Sequence, residues 1–109
     1  MDEPRQSPNA DEVFLDHLAH YVPDMTAAQK ELERYGFLLT PYTLHQQTAV
    51  GGGEPVPTGT ANRCVMLAEG YIEVMCATDA STTLGAQTQA EIDRYTGLHL
   101  LSFSSPDQA

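Results

Sequence analysis

The sequence predicts an α+β domain. Three observations carry that prediction. An apolar, β-prone run at 13–22 stops at Pro23-Asp24, an amphipathic helical stripe follows directly, and an apolar hairpin spans 62–76. The short hairpin connection makes its strands antiparallel. A crossover through the first helix suits a sheet with helices on one face.

Each element has its own reason. Residues 1–12 are polar, acidic and proline-containing, and read as a mobile arm. The run at 13–22, rich in apolar residues with Tyr21 and Val22, suits a strand. Asp24 is a good helix N-cap, because its carboxylate accepts from free N–H groups at the positive end of the helix dipole. Met25, Ala28, Leu32 and Tyr35 then recur on one helical face, while Lys30, Glu31, Glu33 and Arg34 form the wet face. Gly36 fits the left-handed C-terminal cap. "FLLTPYT" at 37–43 reads as a second strand, with Pro41 placing it at an edge or bending its end.

Residues 44–61 read as one long loop, rich in glycine and proline. Loops longer than about 12 residues are functional or disordered, and both readings stand for this one. The hairpin "NRCVMLAEGYIEVMC" turns at residues 68–70. Residues 77–85 form a polar loop, 86–97 a short helix, and "LHLLSF" a last strand.

Bulk properties narrow the partners. Fifteen acids against five bases give a net charge of −10. Such a chain repels phosphate backbones and anionic membrane surfaces, so neither nucleic acid nor membrane is an expected partner. A small-molecule ligand is. No stretch reaches the ~18 apolar residues of a membrane span, and the N-terminus lacks the apolar core of a signal peptide. Cys64 and Cys76 read as two core thiols in a reducing compartment. The expected location is cytoplasmic.

The ending repeats an earlier design. "LDHLAHYVPDM" at 15–25 and "GLHLLSFSSPDQA" at 97–109 both place a histidine in a strand that ends at Pro-Asp. His17 precedes Pro23 by six positions and His99 precedes Pro106 by seven. A bulge accounts for the difference; an ungapped alignment puts Leu100 opposite His17 instead. Both alternatives stand.

"FLDHLAHYVPDMTAAQKELERYGFLLTP", followed by "GTANRCVMLAEGYIEVM", resembles a glyoxalase-like domain of the vicinal oxygen chelate superfamily. The resemblance covers roughly 13–104 and rests on the order of "LDH…VPD", Gly36, "GTAN" and "YIEV". That superfamily builds domains from paired βαβββ modules. The resemblance therefore implies one module at 13–76, with 77–109 as a linker, a helix and the first strand of an incomplete second module. A second copy of the chain is an expected partner, because half a site leaves apolar surface and strand edges uncovered.

The resemblance also implies site residues. His17 and Glu73 fall where the family offers metal ligands from the first and last strands of a module, and His99 falls where the second module begins. Strand alternation puts Glu73 on a face with Tyr71 and Met75, away from Ile72 and Val74. His20 lies opposite His17 and reads as a packing or surface residue. A carboxylate in a strand centre needs a partner, since burying it alone is costly. Imidazole with carboxylate suits zinc, manganese, nickel or iron(II). Glu73 would act as ligand or base. His45 is a candidate ligand-binding residue, and Asn62 either contacts a ligand or caps the loop. The implied activity is that of a metal-dependent lyase, isomerase or dioxygenase acting on a small organic molecule. The alternative is a non-catalytic small-molecule-binding or dimerisation module.

Overall fold

The computed structural model describes residues 5–48 and 50–106. The elements are β1 (Phe14–Tyr21), α1 (Met25–Arg34), β2 (Thr43–Gln47), β3 (Val56–Met66), β4 (Tyr71–Ala77), α2 (Thr83–Arg94) and β5 (Gly97–Ser104). One mixed sheet has the order β2-β3-β4-β1-β5. β1 runs parallel to β4, and the other pairings are antiparallel. This is the expected α+β class, a βαβββ module followed by a helix and one more strand.

The first helix forms as its punctuation requires. The Asp24 carboxylate accepts from the Ala27 N–H at 3.1 Å, and Gly36 closes the end at φ +92°. Its apolar face covers one side of the sheet. Val22, Met25, Ala61, Val74 and Cys76 form the buried cluster there, with Ala28 and Leu32 against it. The buried residues of α2, Gly85, Thr88 and Ile92, lie outside that cluster. Instead α2 shares a cleft with Tyr21, which alternation puts on the side of Glu73. The expectation that both helices cover one face is met by α1 alone.

Three element boundaries move. The second strand is Thr43–Gln47 rather than 37–43. Thr40 does bond β3, its N–H donating to the Cys64 carbonyl at 2.8 Å, but Pro41 has no N–H with which to extend a ladder. The long loop read at 44–61 is mostly strand. β2 pairs with β3 from Thr43↔Asn62 to Gln47↔Val56, leaving only 48–55 between them. Proline and glycine were accommodated rather than excluded. Pro57 lies near the strand's start, and Gly59 takes φ +95°. The second helix starts at Thr83 rather than 86, because the Thr82 hydroxyl caps it by accepting from the Gly85 N–H at 2.9 Å.

The N-terminal arm makes contacts where it is described. Arg5 bridges in parallel to Glu69 and its guanidinium lies over the Phe14 ring at 4.9 Å. Residues from Arg5 onward therefore dock on the β3–β4 turn, which closes at residues 67–70 as expected. Residues 1–4 of the arm, and Asp107 of the second Pro-Asp, lie outside the described residues.

Candidate active site

Glu73 is the centre from which the site is built. It stands mid-strand in β4, between Ala19 of β1 and Cys64 of β3 in register. Its neighbours Ile72 and Val74 turn to the α1 side, so its carboxylate projects from the other face. Asn62, two residues before Cys64 in β3, donates from Nδ2 to Glu73 Oε2 at 2.7 Å. Of the two readings of Asn62, the loop cap is not formed. The residue lies within a strand and holds the carboxylate.

Two imidazoles approach the same carboxylate. His17 Nε2 is 3.9 Å from Oε1 and His45 Nε2 is 3.6 Å from Oε2. Both separations are too long for direct hydrogen bonds. His17 is held from behind, with Nδ1 2.7 Å from Asp16 Oδ1 and its ring stacked on Tyr71 at 4.6 Å. An ionised carboxylate only accepts, so Nδ1 donates to Asp16 and the ring turns its Nε2 toward Glu73. The β1–β5 register shifts between Leu15 and His17, which makes Asp16 the extra residue of a bulge. Alternation alone would send neighbouring Asp16 and His17 to opposite faces; the bulge brings them together.

His45 is fixed the same way from the other side. Its Nδ1 lies 2.7 Å from Thr60 Oγ1, and Thr60 Oγ1 lies 3.1 Å from Thr58 Oγ1. Thr60 is fully buried. The residues between His45 and Gly59 are thus a hairpin tip that folds His45 back beside Thr60. The charge of Glu73 reaches its neighbours. Burial first, and then the carboxylates of Glu73 and Glu91, push the Tyr21 phenol above its ordinary value. Burial and then Asp16 and Glu73 do the same to Tyr71. Cys64 is raised by burial and then by Glu73. Both phenols and this thiol therefore stay protonated near neutral pH.

His99 is not brought into this group. It is the extra residue of a second bulge, between the pairs His20↔Leu98 and Ala19↔Leu100. The ring lies between Tyr21 and Tyr95, stacked at 4.6 and 4.0 Å. Its Nδ1 meets the Gly97 carbonyl at 3.0 Å and its Nε2 meets the Glu91 carbonyl at 2.9 Å. The Glu91 carbonyl, in the last turn of α2, also accepts from the Tyr95 N–H of the C-cap at 3.4 Å. The structure thus makes His99 a second partner for the end of that helix. His20 is exposed. Asp16, Thr60 and Tyr71 were missed as site residues. The only sequence sign of them was proximity, in "DH", "GTAN" and "YIE".

The donor set suits a divalent ion, since two imidazoles and a carboxylate bind first-row metals. The spacing is open. An ion about 2.1 Å from two adjacent ligands holds them roughly 3 Å apart, so both gaps would have to narrow by less than about 1 Å. Among the described residues, no three His, Cys, Asp or Glu side chains are already grouped as metal ligands. Two clefts lie along α2, one of them lined by Thr58, whose hydroxyl meets that of Thr60. One, of about 430 Å³, is lined by Tyr21, Leu84, Gln87, Thr88, Ala90 and Glu91. The other, of about 530 Å³, includes Gln47, Val56, Thr58, Thr82 and again Leu84 and Gln87.

A βαβββ sheet with a polar cup on one face and a helix on the other has the architecture of the vicinal oxygen chelate superfamily. The chain belongs to the glyoxalase-like domain family, which matches residues 15–109. Solved structures share the fold. Methylmalonyl-CoA epimerase from Mycobacterium tuberculosis is similar at 19% identity and a TM-score of 0.57, over 86% of this chain and 56% of that one. A selenomethionine methylmalonyl-CoA epimerase is similar at 21% and 0.57, over 89% and 66%. A hypothetical protein from Bacillus halodurans C-125 is similar at 15% and 0.56, over 85% and 59%. The chain thus spans 56–66% of the length of these structures. No curated protein matches it. Among the described residues, no helix is long and apolar enough to cross a membrane.

Proposed function

We propose that the cup around Glu73 binds a small organic molecule and moves a proton on it, with a divalent ion held by His17, His45 and Glu73. One observation carries this reading: two imidazole Nε2 atoms face the two oxygens of one carboxylate at 3.9 and 3.6 Å. Neither gap is closed by a direct hydrogen bond, and a cation or a ligand proton between nitrogen and oxygen would bridge it. A bound ion, zinc, manganese, nickel or iron(II), would supply Lewis acidity toward substrate oxygens. The chain's own residues supply the rest. Asp16 and Thr60 orient the two imidazoles. Asn62 fixes one Glu73 oxygen and leaves the other free to accept a proton. Tyr71 walls the cup, and Tyr21 lines a cleft along α2. Lyase, isomerase and oxygenase outcomes all fit such a centre. The free thiols of Cys64 and Cys76 accord with a reducing, cytoplasmic setting.

The open spacing favours a second reading, a metal-free binding module in which Glu73 accepts hydrogen bonds from the ligand. Elemental analysis of the purified chain separates the two. Near-stoichiometric divalent metal, lost in Glu73→Gln and in His45→Ala, is expected. A metal content that these substitutions leave unchanged would end the metal reading.

A further inference from the structure

We infer that the clefts along α2, which would receive the part of a substrate lying beyond the ion-binding cup, take groups without fixed negative charge, amine-bearing or neutral, and turn away phosphates and carboxylates. The inference deepens the small-molecule reading of the Glu73 cup and rests on it. It starts from where the bases are. The chain has only five lysines and arginines, and all five lie among the described residues. Arg5 is held by Glu12 and by Glu69 at the β3–β4 turn. Lys30 and Arg34 stand on α1, which covers the opposite face, and Arg34 pairs with Glu31. Arg63 is in register with Val74, hence on the α1 side, and donates to the Thr40 carbonyl at 3.0 Å. Arg94 pairs with Glu91 at 2.9 Å, the same Glu91 that lines a cleft.

The site side therefore carries the carboxylates of Asp16, Glu73 and Glu91. No lysine or arginine there lacks a carboxylate of its own. The remaining positive feature is the N-terminus of α2, beside the larger cleft. It is already answered from within the chain. Thr82 takes the Gly85 and Ala86 N–H groups, and the Asp79 carboxylate sits in the turn just before it. What the clefts offer instead is Gln47, Thr58, Thr82, Thr83 and Gln87, uncharged groups that donate and accept, beside apolar Val56 and Leu84. Such a lining recognises hydroxyls, amides and amines, and it gives a phosphate no compensation for its lost water. The fold likeness to epimerases of a CoA thioester thus does not extend to the charges a polyphosphate ligand would need.

The test uses the full ¹⁵N-labelled chain, stripped of metal by a chelator, at low ionic strength, where charge effects are least screened. Four probes share a phenyl ring: 2-phenylethylamine, 2-phenylethanol, 3-phenylpropionate and phenyl phosphate. The amine and the alcohol should shift the amides of Gln47, Thr58 and Gln87. The two anions should bind about tenfold more weakly or worse, as one extra charge near a carboxylate implies. Gln87→Arg places a base on an exposed cleft position and should restore phenyl phosphate to within about threefold of the alcohol. Anions that bind the unaltered chain as tightly as the amine would overturn the charge preference while leaving the cup reading intact. Cleft amides that respond to none of the probes would overturn both.

Discussion

Thr60 decides whether His45 can serve the site. Its hydroxyl lies between His45 Nδ1 and Thr58 Oγ1, and the residue has no exposed surface. Thr60→Val keeps the shape and removes both hydrogen bonds. Buried polar groups left without partners cost about 1–3 kcal/mol, so urea unfolding should show a loss of that size at an unchanged m-value. Thr60→Ser restores the hydroxyl and should recover most of the loss, short only of a methyl group. Equal destabilisation by valine and serine would mean that packing, and not the bond to His45, is what Thr60 contributes. Glu73 and His17 were legible as candidates because the resemblance implied them, and strand alternation then set Glu73 on the face away from Ile72 and Val74. Asp16 was not, because a bulge suspends alternation at the one position that matters.

At the scale of elements, the turn from β4 into α2 is the most constrained piece of the chain. Gly59 has φ +95°, and a Cβ there would lie 2.0 Å from Thr82 Oγ1 and 2.7 Å from the Asp79 carbonyl. Gly59→Ala should cost about 3 kcal/mol through both backbone strain and overlap, and thermal unfolding would measure it. An alanine variant as stable as the parent would show that the turn can relax. Asp79 holds the same turn by accepting from the Ser81 N–H at 2.9 Å and from its hydroxyl. Those bonds lower its pKa below the ordinary 3.8. A depressed carboxyl stabilises above its unfolded value and loses that contribution as pH falls through the folded one. The stability gap between the parent and Asp79→Asn should therefore be full at pH 6 and narrow below about pH 4; a gap that widens on acidification would contradict it. The hairpin and α1 were legible because apolar runs and caps agree with each other. β2 and the start of β3 were hidden by glycines and prolines, which signal a loop until a long-range partner supplies the hydrogen bonds. Thr43↔Asn62 is such a pairing, 19 residues apart, and no local pattern announces it.

The whole molecule is a sheet whose last strand has a neighbour on one side only. β5 ends the order β2-β3-β4-β1-β5 and pairs with β1 through seven register positions, from Phe14↔Ser104 to Tyr21↔Gly97. Residues 97–104 thus join the first sheet, one of the outcomes their apolar sequence allows, since unpaired backbone in such a segment is costly. The outer edge of β5 meets no strand among the described residues, and Leu98, Leu100, Leu101 and Phe103 are each at least 40% exposed. In an antiparallel ladder, alternate N–H groups point to the partner and the rest point away. Amides of 98–104 that face β1 should exchange slowly with solvent hydrogen, and those facing outward should exchange fast. The two bulges on this pairing should break the alternation at His99 and next to Asp16. Sedimentation at several concentrations, run on the same sample, establishes whether the chain is a monomer. Slow exchange at every position of β5 in a verified monomer would contradict a free edge. Slow exchange that appears only as concentration rises would instead identify β5 as the strand through which two copies meet.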